Sequence, residues 1–125
     1  MNPADIYRKA LFTTPLHSQL VQLHRQAGVF TRQAVEYIQQ NDIQNAQKHI
    51  QYVEDIIAFL RSSLDLSLGD VSEKADASYA FYYSVMVRWF LHPETYVEDY
   101  QQVLEFWDSW AETWTQVGMA QVTAQ

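Results

Sequence analysis

With 125 residues, 48% of them hydrophobic and 14% aromatic, the chain has enough apolar surface for one sizeable core and too little length for two ordinary domains. A formal net charge of -7 argues against nucleic acid or an anionic membrane face as a partner, and the lack of cysteine removes disulfides, thiolate metal sites and thiol nucleophiles. No stretch approaches the roughly 20 apolar residues that span a bilayer, and the N-terminus lacks the order of a signal peptide, so no membrane insertion is expected and the expected compartment is cytoplasmic.

In chain order, residues 1–12 come first, with Ile6, Tyr7, Leu11 and Phe12 forming a short apolar cluster. Such a piece is too short to be stable as an isolated helix, so it must dock on the rest or remain disordered. Thr14-Pro15 is a helix-start signal, and Leu16, Leu20, Leu23, Ala27, Phe30, Ala34 and Tyr37 then recur at helical spacing, predicting a helix over 14–40. Asn41-Asp42 can cap a second helix over 42–64, whose apolar face is Ile43, Ala46, Ile50, Val53, Ile57, Leu60 and Leu64. After a break at Gly69, Asp70 and Glu73 have capping-box spacing ahead of a third helix over 71–91. His92-Pro93 ends it, and a fourth helix over 94–120 carries Tyr96, Tyr100, Val103, Trp107, Trp110, Trp114 and Val117 in a four-three alternation. Short connections between long helices favour antiparallel neighbours, so the expected fold is all-α, an antiparallel up-and-down four-helix bundle with the short N-terminal segment docked on it.

The third helix is apolar over more of its circumference than a bundle's inner arc requires. In the stretch YAFYYSVMVRWF, Tyr79 to Phe90, only Ser84 and Arg88 are polar. Something besides the bundle should lie against it, and the candidates are the segment Ala4 to Phe12, a second copy of the chain or a partner helix. Tyr82, Met86, Trp89 and Phe90 are expected to serve both core and outer surface.

Enzymatic chemistry finds little support. No histidine stands three residues after a glutamate, and His-Glu-x-x-His and glycine-rich phosphate loops are absent. His17 and His24 lie seven residues apart, about 10 Å along a helix, too far to chelate one ion, and both are expected at the surface. Adjacent acids such as Glu54-Asp55 and Glu98-Asp99 point in different directions and mark no pocket. No metal site, cofactor or catalytic residue is expected. The charge is uneven: residues 89–125 hold Glu94, Glu98, Asp99, Glu105, Asp108 and Glu112 and no Lys or Arg, so the last helix should face solvent or a basic partner.

Tyr7, Thr14-Pro15, the run IIAFLRSSLD from Ile56 to Asp65, FYYSVMVRWF from Phe81 to Phe90 and VLEFWDSWAETW from Val103 to Trp114 occur in an order, spacing and total length that resemble the flagellar export chaperone family FliS. The resemblance spans most of the chain, with Ser84 standing where the family motif has its second tyrosine. It implies a cytoplasmic chaperone that binds the disordered C-terminal segment of flagellin in an apolar groove, prevents premature polymerisation and aids delivery to the type III export apparatus, with the export gate as a further candidate partner. The candidate client-binding residues are Ile6, Tyr7, Leu11, Tyr79, Tyr82, Met86, Trp89 and Phe90. The N-terminal segment would act as a removable lid on part of that surface. A helical secretion chaperone or adaptor for another client, and a structural homodimer, share the same compositional features.

Overall fold

The computed structural model describes residues 17–123, which form four α-helices: α1 (His17–Gln39), α2 (Ile43–Ser62), α3 (Asp70–Leu91) and α4 (Tyr96–Thr123). Two 3-10 turns, Leu66–Leu68 and Pro93–Thr95, precede α3 and α4. The Thr14-Pro15 start signal, the lid segment with Ile6, Tyr7, Leu11 and Phe12, and its docking lie outside the described residues.

Contacts between helices fix the topology. Phe30 meets Tyr52 and Tyr37 meets His49, so α1 and α2 run antiparallel. Arg61 grips Asp76 at one end of α2 while Gln47 donates to the Phe90 carbonyl at the other, which makes α3 antiparallel to α2. Tyr79 faces Trp110 and Trp89 faces Tyr96 across α3 and α4. Arg32 reaches Asp108, closing the bundle between α4 and α1. The architecture is therefore an antiparallel up-and-down four-helix bundle in which α1 and α3 are diagonal.

The turns follow local chemistry, with two departures from the sequence expectation. Asn41 occupies the left-handed region at φ 59, where its short polar side chain is tolerated, and the Asp42 and Asn41 amides donate back to the Tyr37 and Ile38 carbonyls in a Schellman arrangement. Asp42 then caps α2, accepting from the Asn45 amide. Before α3 the cap is Gly69 rather than Asp70. At φ 68 and ψ -131 its backbone suits glycine alone, so Asp70 and Glu73 fall inside the first turn, where their negative charges complement the positive end of the helix dipole instead of forming a capping box. The second departure is at Pro93, which opens a 3-10 turn sealed by Thr95, and α4 proper begins at Tyr96, two residues later than expected.

Small residues set how closely the helices approach. Ala27, Gly28, Thr31 and Ala34 of α1 are buried together with Ala111 of α4, and α1 packs more closely on α4 than any other pair. A Cβ on Gly28 would sit 3.5 Å from the Cβ of Trp107. The backbones of α3 and α4, by contrast, approach each other at few positions, and aromatic rings fill the space between them.

Candidate interaction surface

The exposure pattern divides α3 into two apolar stripes. Ala75, Tyr79, Met86 and Trp89 face inward, with Val85 beside them, and all are buried. On the opposite side Ala77, Phe81, Ser84, Val87 and Leu91 are exposed; steps of four, three, three and four place them along one outward face about 20 Å long. Phe81 remains 49% exposed and Leu91 64%.

The expected site residues separate accordingly. Tyr79, Met86 and Trp89 are at most 1% exposed and belong to the core, so only Tyr82 and Phe90 of the set on α3 reach the surface, each half-buried. Tyr82 lies over the α3/α4 seam, its ring stacked on Phe106 with centroids 3.9 Å apart and 24° between planes, and Phe81 packs edge-on against it. Burial pushes the Tyr82 hydroxyl above its ordinary pKa, a hydrogen bond with Gln102 opposes the change, and the negative charge of Glu105 adds to it. The seam therefore presents an aromatic floor of Phe81, Tyr82 and Phe106, with polar groups of α4 along one lip. Phe106 was not anticipated from the sequence, although Asp99, Val103, Phe106 and Trp110 form a second four-three series beside the one that was read.

At the turn end of the seam, Arg88 pairs with Asp99 and ties α3 to α4. On the other flank of α3, Arg61 Nε donates to Asp76 Oδ1 at 2.8 Å, and a shallow cleft beside the pair is lined by Ala58, Leu66 and Tyr83. A separate cleft of about 500 Å³ opens between α1 and α2 around Leu23 and Phe59, with Ser18, Gln19 and Gln22 at its rim.

His24 corrects the sequence expectation of a surface histidine. It is 0% exposed, sits over Trp110 in a near-parallel stack, and bridges the diagonal helices α1 and α3. Its Nδ1–H donates to the Leu20 carbonyl at 2.7 Å, which leaves Nε2 to accept from the Tyr79 hydroxyl at 2.8 Å. Burial lowers its pKa to about 4, outweighing the bond to Leu20, so the ring is neutral. The side chain of His17 lies outside those described. Glu54 is half-buried, and burial followed by the adjacent Asp55 raises its pKa, yet no partner group completes a catalytic pair around it. Among the described residues no three His, Cys, Asp or Glu side chains come together to hold a metal ion, and no helix is long and apolar enough to cross a membrane.

Compared with known families, the chain matches the model described as Flagellar protein FliS over residues 2–121. No curated protein is matched.

Proposed function

The chain belongs to the FliS family, a family of flagellar export chaperones, and on that premise we propose that it binds the disordered C-terminal segment of flagellin in the cytoplasm, keeps it from polymerising early and hands it to the type III export apparatus. The observation that supports this reading is the outward apolar stripe of α3, continuous with the aromatic seam beside α4. Contiguous exposed apolar surface of this kind on a small acidic protein favours association over solubility unless a partner covers it. A segment disordered when free can fold on it as a helix, with anchors three and four residues apart, at the entropic cost of ordering.

In this reading the eight site residues have different tasks. Tyr82 and Phe90 touch the client, together with Phe81, Val87 and Leu91. Tyr79, Met86 and Trp89 hold α3 in place from beneath. Ile6, Tyr7 and Leu11 supply the lid that the client displaces. Calorimetry with the flagellin C-terminal segment from the organism that encodes the chain tests the reading. Phe81→Ala should weaken binding by about 1 kcal/mol or more, the scale of an interface anchor, with little change in thermal unfolding because that ring is half in solvent. No measurable binding to the wild-type protein would overturn the proposal.

A further inference from the structure

The acids of α4 occupy two kinds of environment. Asp99 is paired with Arg88, and Asp108 with Arg32 at 3.2 Å. Glu98, Glu105 and Glu112 are all exposed, and among the described residues no cation pairs with them. Glu105 accepts from the side-chain amide of Gln101 and Glu112 from that of Gln116, each at 3.3 Å. Successive carboxylates are seven residues apart, which places all three on one face of α4 with about 10 Å along the axis between neighbours. They form a row of uncompensated negative charge on a chain that already carries -7.

That row runs beside the seam. Gln102, whose side chain bonds Tyr82, and Ser109 stand between it and the floor of Phe81, Tyr82 and Phe106. Lys and Arg side chains have apolar stems that lie along such a floor while their heads reach outward to a carboxylate. The cleft between α1 and α2 has no such feature, since Ser18, Gln19 and Gln22 form its rim. In the cleft beside Tyr83 the one carboxylate, Asp76, is paired with Arg61, so among the described residues a row of unpaired carboxylates borders the α3/α4 seam and neither cleft.

We propose that the α3/α4 seam takes an amphipathic helix of the client whose apolar face lies on Phe81, Tyr82 and Phe106 and whose flank presents Lys or Arg side chains, about seven residues apart, to Glu98, Glu105 and Glu112. The proposal rests on the client reading above and adds the chemistry that selects and registers the segment. Apolar anchors alone let a helix slide along the seam, whereas a charge row with a two-turn repeat favours one register. Charges at a solvent-exposed rim act mainly on encounter, so the row should control the association rate and its salt dependence more than dissociation.

Stopped-flow binding with two synthetic versions of the flagellin C-terminal segment, one native and one with every Lys and Arg replaced by Gln, provides the test. At low salt the neutralised segment, and separately a Glu105→Gln/Glu112→Gln protein with the native segment, should each associate about three- to ten-fold more slowly, with dissociation changed less. A protein with the same net charge, Asp55→Asn/Glu73→Gln, should keep the wild-type rate. Equal slowing by both charge-matched proteins, no slowing by either change, or a native segment that contains no cation overturns the proposal while leaving the client reading intact. Failure of the wild-type protein to bind either segment overturns the client reading, and this proposal with it.

Discussion

Acid should weaken this bundle through protonation of the buried His24. The ring is enclosed by the Leu20 carbonyl, the Tyr79 hydroxyl and the indoles of Trp107 and Trp110, with no carboxylate among its described contacts to compensate an imidazolium. Both nitrogens are committed to the neutral form, so a proton on Nε2 also removes the acceptor of Tyr79. A folded-state pKa of about 4 against the ordinary 6.5 means that the unfolded chain binds the proton more readily across that interval. Stability is complete above pH 6.5, falls as the pH drops towards 4 and levels off below it, and the loss is about 3 kcal/mol. That is a large share of the roughly 5–15 kcal/mol typical of a folded domain. Urea unfolding between neutral pH and about pH 4.5 measures it, with His24→Gln as the reference because glutamine does not titrate. The variant will be weaker at neutral pH, yet its stability should change less with acid. Glu54 contributes with the opposite sign, since a raised carboxyl pKa adds stability as the pH falls, but it does so in both proteins and cancels. Wild-type and variant curves that stay parallel through the window would refute the reasoning.

Three substitutions probe the packing directly. Tyr79→Phe should cost about 1–3 kcal/mol in urea unfolding, because the buried His24 Nε2 loses its only described donor while the ring volume is unchanged. Gly28→Ala should raise the melting temperature, since the added Cβ meets Trp107 at 3.5 Å, an ordinary contact, and alanine gains about 0.8–1 kcal/mol of helix propensity; a fall would mean that the α1/α4 contact has no slack. Gly69→Ala should lower it by the equivalent of about 1–3 kcal/mol although nothing lies within 4 Å of the new atom, because φ 68 is strained for any L side chain, and an unchanged melting temperature would show that the turn readily adopts another conformation.

The helices were legible because each carries a repeat that only a buried face maintains. Ala46, Ile50, Val53, Ile57 and Leu60 were read as one stripe and are all 0% exposed. Asn41-Asp42 was legible for a different reason: few residues accept the left-handed turn that ends one helix and also supply the side-chain oxygen that starts the next. His24 was not read, since a polar residue inside an apolar series looks like the edge of the stripe. In α1 the series Leu20, His24, Ala27, Thr31 and Ala34 is the buried one, and its two polar members are satisfied internally, His24 by Leu20 and Tyr79 and Thr31 by the Ala27 carbonyl. Pattern reading assigns polarity to a residue, whereas burial depends on whether a partner stands opposite.

The aromatic excess of α3 shows the same limit from the other direction. Composition indicated that the helix had too many large side chains for one inner arc, but it did not indicate that they divide into an inward and an outward stripe. Side-chain volume explains the division. Where α1 meets α4, alanines and Gly28 let the backbones come together, and little surface remains between them. Where α3 meets α4, Tyr79, Tyr82 and Trp89 oppose Tyr96, Phe106 and Trp110, and rings of that size hold the backbones apart. The inner rings close the core. The outer ones, Phe81 and Tyr82, are left on a seam too wide for the two helices to cover, so the residues that complete the fold on one side create the accessible surface on the other. Narrowing the seam with smaller side chains would remove that surface only by weakening the core, which couples the proposed binding site to stability at every ring that spans α3 and α4.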